Sequence, residues 1–325
     1  MKHFAVGFFL ALFLVAIPTS TLGQMPELKP LKGTPIPPAP KNPEQFKFIL
    51  AGDNRPAKAT DPQGDAVKTI FKEIKKQAPA FVLWTGDIIY GKDPSVPKTI
   101  TKEYEEFLAI AAKGNAAVYN APGNHEMNDS SNCPNPKLLS LYLKDTVQAE
   151  PYGSFDYGDS HFIALDSDQA APDNDKCNCS EQSKDAKPPG YIGEMQMNLL
   201  AQDLEANKTK AHIFIFLHRP LVGYQGEDQL CPENVAQMQT LFKKYPTVSY
   251  VVAGHQHMYY NPQGSDEFGP PPERTDPGIA PYYLVSGGGG APLKKKGFYH
   301  YLVFTVDKAT VSVQVEPVDA GADVD

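Results

Sequence analysis

Apolar positions in this chain recur in two periods that take turns along the sequence. Phe46 to Ala51 reads as a short strand that ends in Gly52-Asp53-Asn54-Arg55-Pro56. Val67, Ile70, Phe71 and Ile74 then recur at helical spacing, the mark of an amphipathic helix. A second run, Ala80 to Thr85, ends in Gly86-Asp87, and a helix through Tyr104, Phe107, Leu108 and Ala111 leads to the strand Ala116 to Tyr119. After a short apolar helix near Leu138 to Leu143, alternation and a Gly-Asp turn predict a hairpin over Ser154 to Asp166. Helices marked by Met197, Leu200 and Leu204 and by Val235, Met238, Leu241 and Phe242 alternate with the strands His212 to Leu217 and Val248 to Val252. Three more strands follow, Tyr282 to Ser286, Tyr299 to Val306 and Thr310 to Val315. This order predicts an α/β fold, a four-layer αββα sandwich of two mixed β-sheets flanked by helices.

Polar residues gather where the strands stop: Asp53, Asp87, Asn124 with His125, His218, and His255 with His257. Ligand sites in α/β sheets form at the carboxyl ends of strands, so clusters at five strand ends are expected to converge. His255 and His257 stand at i and i+2, which turns both imidazoles to one side of an extended chain. Carboxylates, one amide and several imidazoles suit Mn, Fe or Zn and are too rich in nitrogen for calcium. Two metals about 3.5–4 Å apart would activate water for in-line attack on phosphorus, with Asp87 as the bridge.

The ends of the chain refine this picture. Lys2 and His3 precede an apolar run from Phe4 to Ile17 and a small, polar segment to Gly23. The run is short of the roughly 20 residues that a membrane span needs, and it predicts a signal peptide over residues 1–23 and a secreted or periplasmic protein. Residues 24–45 are dense in proline and read as a linker or extended arm. One domain is expected over 46–317, with an acidic tail at 318–325. In an oxidising compartment the four cysteines pair, and Cys177 and Cys179 are too close to prefer each other. Each is expected to bond either Cys133 or Cys231, since the spacing lacks the Cys-x2-Cys knuckles of structural zinc. A net charge of -8 argues against general nucleic-acid binding. Lys294-Lys295-Lys296 reads as a solvated turn rather than a phosphate patch.

The order Gly52-Asp53, Gly86-Asp87, Gly123-Asn124-His125-Glu126, His218 and Gly254-His255-Gln256-His257 resembles the calcineurin-like metallophosphoesterase superfamily. The resemblance implies a dinuclear metal centre of divalent or mixed-valence ions, Fe, Mn or Zn, that hydrolyses phosphomonoesters or phosphodiesters by metal-activated hydroxide. The substrate would be a small-molecule or macromolecular phosphoester. It assigns Asp53, Asp87 and His257 to one metal and Asp87, Asn124, His218 and His255 to the other. His125 would act near the phosphate as proton donor or electrostatic stabiliser. The family's usual first motif has histidine where this chain has Arg55, which stays protonated and cannot ligate. Arg55 is then either a clamp on the substrate phosphate or an ion-paired residue filling the ligand's place. Tyr90 resembles the iron-ligating tyrosine of purple acid phosphatases, and its alternative is a buried aromatic. A glycine-rich turn is typical of the family at Gly287 to Gly290. The rival from another class is a secreted binding protein with one or no metal and no turnover, for which Arg55 is the warning sign.

Overall fold

The computed structural model describes residues 27–33, 37–173, 175–179, 188–275 and 281–320. The segment read as a signal peptide lies outside the described residues. Among the described residues, eleven strands form two mixed sheets. One sheet contains β1 (Gln45–Ala51), β2 (Phe81–Trp84), β3 (Ala117–Asn120), β10 (His300–Asp307) and β11 (Thr310–Pro317) in the order β11-β10-β1-β2-β3. The other contains β4 (Gly153–Tyr157), β5 (Ser160–Ala164), β6 (His212–Leu217), β7 (Val248–Ala253), β8 (Tyr259–Tyr260) and β9 (Tyr282–Ser286) in the order β4-β5-β6-β7-β9-β8. β1, β2 and β3 are parallel neighbours, and so are β5, β6, β7 and β9.

Side-chain alternation along the central strands explains the layers. Phe48, Leu50, Phe81 and Leu83 point between the sheets, where they meet Phe214, Phe216, Tyr250 and Val252. Their neighbours Ile49, Ala51, Val82 and Trp84 face helices α1 (Asp65–Gln77) and α2 (Pro97–Ala111). On the far side, Ile213, Ile215 and Leu217 pack against α5 (Glu194–Ala206) and α6 (Pro232–Phe242). Every residue of β2, β3, β6 and β7 is buried. That is why these strands read as continuous apolar runs, and the α/β sandwich expected from the sequence is the fold observed.

Some local details differ from the reading. Leu108 lies at the edge of the α2 face, whose buried apolar side chains are Ile100, Tyr104, Phe107, Ile110 and Ala111. The four-residue helix α3 (Asn124–Met127) and the two-residue strand β8 carry too few positions for any period to register. α4 (Pro136–Asp145) is where the short apolar helix was expected. In the Pro-rich segment, Leu28 and Leu31 are buried, and the Leu31 N–H donates to Ser154 O at 2.9 Å while Ser154 N–H donates to Lys29 O at 3.2 Å. Residues 29–31 are thus an extended arm paired to β4. Disulfides join Cys133 to Cys179 and Cys177 to Cys231, one of the two pairings the spacing allowed. No helix among the described residues is long and apolar enough to cross a membrane.

Candidate metal centre

The parallel strands of both sheets deliver their carboxyl ends to one rim. Asp53 follows β1, Asp87 follows β2, and Asn124 and His125 open α3 after β3. His218 follows β6, and His255 and His257 follow β7. Asp53, Asp87, His255 and His257 all adopt positive φ, at 62°, 51°, 70° and 45°. Four non-glycine residues in the left-handed region at one rim mark a strained loop set, which surrounding structure must hold. The chain supplies close backbone approaches for it. A Cβ on Gly254 would sit 2.2 Å from Asp53 Oδ2, and one on Gly289 would sit 2.1 Å from Gly52 O. The glycine-rich turn is therefore a packing device: the Gly289 N–H donates to Gly52 O and the Ala291 N–H to Asp53 O, both at 2.8 Å.

Two ligand groups emerge at this rim, and both use Asp87. Ligand atoms of Asp53, Asp87 and His257 lie within 4.8 Å of one another, as do those of Asp87, His218 and His255. Asn124 joins the second group, with Oδ1 3.0 Å from His218 Nε2. His218 Nδ1 is tied to Thr85 O at 2.8 Å and His257 Nδ1 to Pro292 O at 2.7 Å. Such outer contacts fix the ring and its tautomer and leave Nε2 with the lone pair. His218 Nε2 then faces Asn124 Oδ1 and Asp87 Oδ1, the latter at 3.3 Å, and His257 Nε2 faces Asp53 Oδ1 at 3.5 Å. Lone pairs of mixed N and O character turned on one another are what a borderline cation relieves. His255 turns Nδ1 to His218 Nε2 at 2.9 Å and Nε2 to Arg219 Nη1 at 3.2 Å.

The electrostatics agree with that donor set. Burial, with the Asp87 charge added, pushes Asp53 well above the usual carboxylate range, although the His255 N–H donates to both of its oxygens. Burial also works against the Asp87 charge, but the charges of His218, His125 and Arg55 outweigh it and bring its pKa below the usual carboxylate range. Burial pushes His257 down to about 4 and His125 to about 3, so both rings are neutral near pH 7. The residues present fit two cations sharing Asp87.

Around this core stand the remaining predicted residues. Arg55 Nε lies 3.5 Å from Asp87 Oδ2 and lines a cleft of about 330 Å³ over the site, so Arg55 is ion-paired and faces the cleft at once. The His125 N–H donates to Asp87 Oδ1, and its Nδ1 lies 2.5 Å from Tyr90 O. The Tyr90 ring meets the His125 ring edge-on at 5.8 Å. Tyr90 is not among the residues lining the cleft, and its hydroxyl makes no hydrogen bond among the described residues.

Several contributors had not been singled out in the sequence. Glu126 accepts N–H bonds from Asp87, Ile88, Ile89 and Gly123, tying the second and third motifs together. Its place inside the third motif was the signal for it. Arg219 also lines the cleft, with Nε donating to Asp168 Oδ1 at 2.8 Å. Its signal was adjacency to His218 at a strand end. Lys92 lines the cleft without any such signal. Lys294, expected in a solvated turn, lines it too, whereas Lys295 and Lys296 are exposed.

Comparison with known proteins agrees with this geometry. The profile of the calcineurin-like phosphoesterase family matches residues 46–259. A curated relative, the 3',5'-cyclic adenosine monophosphate phosphodiesterase CpdA of Vibrio vulnificus, is 24% identical over 207 residues, or 60% of this chain. The match spans 64% of that relative's length. Among solved structures, a dimetal phosphatase from Danio rerio superposes with a TM-score of 0.60 at 15% identity, covering 84% of this chain and 96% of its own. The yellow lupin purple acid phosphatase PPD1 gives 0.58 at 17% identity, covering 86% of this chain and 54% of its own. GAP50, the anchor in the inner membrane complex of Plasmodium, gives 0.56 at 14% identity, covering 86% and 87%. With strand-end motifs brought together at one rim and the family profile spanning them, the chain belongs to the calcineurin-like phosphoesterase family.

Proposed function

We propose that the protein is an exported phosphoesterase that transfers the phosphoryl group of a phosphomonoester or phosphodiester directly to water at a dinuclear centre. The observation that carries this reading is the pair of ligand groups meeting at Asp87. Asp53, Asp87 and His257 would hold one ion, with Tyr90 as a further candidate ligand, and Asp87, Asn124, His218 and His255 the other. When bound, Fe, Mn or Zn at these positions supplies Lewis acidity toward phosphoryl oxygens and a nucleophile from water at neutral pH.

The chain's own groups orient the ester. Arg55 faces the cleft beside Asp87, where its guanidinium can take two phosphate oxygens at once. His125 keeps its Nδ1 on the Tyr90 carbonyl, so Nε2 is the atom that meets the leaving group or a phosphate oxygen. The negative charge of a bound phosphate offsets the burial that disfavours a proton on Nε2. Export rests on the apolar amino-terminal run and on the two disulfides.

Asp87→Asn tests the reading. Metal content should fall for both ions, and hydrolysis of an aryl phosphate and its bis-ester should fall by more than the roughly 10–100-fold that losing an outer hydrogen-bond partner costs. Failure of Mn-, Fe- and Zn-loaded protein to cleave either compound, or an Asp87→Asn variant indistinguishable from the parent, sinks it. The Arg55–Asp87 ion pair favours a second reading, a binding protein without turnover. Metal stoichiometry separates the two: two ions per chain support hydrolysis, and one or none supports binding alone.

A further inference from the structure

The cleft over the metal centre carries more positive charge than one phosphate group needs. Arg55, Lys92, Arg219 and Lys294 all line it. Three are matched by carboxylates: Arg55 by Asp87 at 3.5 Å, Arg219 by Asp168 at 2.8 Å and Lys294 by Asp228 at 2.9 Å. Among the described residues Lys92 makes no ion pair, and its Nζ donates to Asn132 Oδ1 at 2.8 Å.

Lys92 is nonetheless held firmly. It follows Gly91, and both residues have positive φ, at 56° and 66°. A Cβ on Gly91 would lie 2.0 Å from His125 O, so the turn is pressed against the third motif. Glu103 Oε2 accepts the N–H groups of Tyr90 at 2.7 Å and Gly91 at 3.2 Å, which pins the turn from the other side. Asn132, its partner, neighbours the Cys133–Cys179 disulfide. Arg219 is equally fixed, since a Cβ on Gly190 would meet its Cδ at 2.6 Å. The cations approach from three sides: Lys92 from the Asp87–His125 side, Arg219 beside His255, and Lys294 where its N–H donates to His257 O at 3.2 Å. A cation fixed at the cleft wall with an amide oxygen as its partner, and no direct ion pair among the described residues, is placed to take an anion supplied from outside.

We propose that the cleft selects phosphoesters whose organic part carries a second anionic group, a phosphate or a carboxylate, and that Lys92 holds that group. The inference rests on the phosphoesterase reading and narrows its substrate class. The reacting phosphate belongs to the metal centre and Arg55, and the second anion sits against Lys92. Lysine suits this task because its ammonium is a point charge that donates to either kind of oxygen.

Three phosphonates of matched length, whose P–C bond is not hydrolysed, test it with the metal-loaded protein: propylphosphonate, 3-phosphonopropionate and propane-1,3-diphosphonate. Calorimetry should find the two compounds with a second anion bound at least tenfold more tightly than propylphosphonate. Preference for the diphosphonate alone would identify the second group as phosphate, and equal gains would identify general anion recognition; both outcomes support the inference. Lys92→Gln should erase most of the preference, and Lys92→Arg should retain part of it. Equal affinity for all three compounds in the parent overturns the inference while leaving the phosphoesterase reading intact. So does a Lys92→Gln variant that weakens all three alike, which would assign Lys92 to the reacting phosphate. Binding of none of the three overturns the phosphoesterase reading and this inference with it.

Discussion

Asp53 and Asp87 end neighbouring parallel strands, yet their environments differ in a way that sets the chemistry. Asp53 depends on burial and two contacts from the His255 N–H, whereas Asp87 is surrounded by His218, His125 and Arg55. The close approach that frees Asp53 of solvent is made by Gly254, where a Cβ would fall 2.2 Å from Oδ2. Gly254→Ala should therefore displace the Asp53 carboxylate and weaken the ion shared with His257, with the circular dichroism spectrum unchanged. Titration of metal into the metal-free variant measures this; affinity equal to the parent's would mean the loop relaxes around the methyl group. Arg55 calls for the opposite expectation. It faces the cleft, so Arg55→Ala should raise KM or lower kcat for a phosphoester by about tenfold or more, as for a charge-assisted bond of about 1.5–3 kcal/mol, with metal content unchanged. Loss of metal in that variant would instead make the Asp87 ion pair its main role. At this scale the residues that gather at the candidate metal centre were legible because each follows an apolar strand within a short motif. Lys92 was not, because its place in the cleft comes from the fold of the Gly91 turn, and an isolated lysine carries no period or motif.

The elements were legible where burial is two-sided or helical spacing is clean. β2, β6 and β7 are buried at every residue, and α1 turns Val67, Ile70, Phe71 and Ile74 to the sheet. What escaped were elements defined by contacts rather than by period. The helix α3 exists where Glu126 gathers backbone N–H groups from two loops, and the arm at Leu28 to Leu31 folds onto β4 despite its prolines. The hairpin β4–β5 shows how a single side chain ties elements together. His161 on β5 sets Nδ1 2.6 Å from Asp156 Oδ1 on β4 and Nε2 2.7 Å from Asp203 Oδ2 on α5. Burial opposes its charge, but the bonds and charges of Asp203 and Asp156 overcome it and raise its pKa. A histidine whose pKa rises on folding contributes stability that is complete below its unfolded value, about 6.5, and is lost as the pH climbs through the folded value. Thermal denaturation should therefore find the margin of the parent over His161→Gln largest just below about pH 6.5 and narrowing as pH is raised. A margin that widens on raising the pH contradicts the imidazolium reading of this contact.

Across the whole molecule, the rim of the candidate metal centre divides into a part held by the two-sheet core and a part held by cross-linked loops. The candidate metal ligands follow strands packed into the inter-sheet layer of Phe48, Phe81, Phe214 and Phe216. Asn132 and Pro188 line the cleft from loops joined by the Cys133–Cys179 and Cys177–Cys231 bonds. Gly190, which presses on Arg219, accepts the Cys231 N–H at 2.7 Å, so the second disulfide holds the Arg219 wall as well. Sequence reading limited the cysteine partners to two arrangements through the closeness of Cys177 and Cys179, and only the folded loops decide between them. Removing a disulfide from a secreted domain costs about 2–5 kcal/mol, largely by freeing the chain it closed. Reduction and alkylation should accordingly lower stability by about that much per bond and raise KM for the substrate several-fold, because Arg219, Asn132 and Pro188 lose their fixed spacing. Metal content should stay at the parent's value, since Asp53, Asp87, Asn124, His218, His255 and His257 all stand just past strands of the paired sheets. Chemical denaturation, steady-state kinetics and metal analysis on the same alkylated sample read the three effects separately. A loss of metal that tracks the loss of disulfides would mean that the loops, rather than the paired sheets, set the ligand geometry.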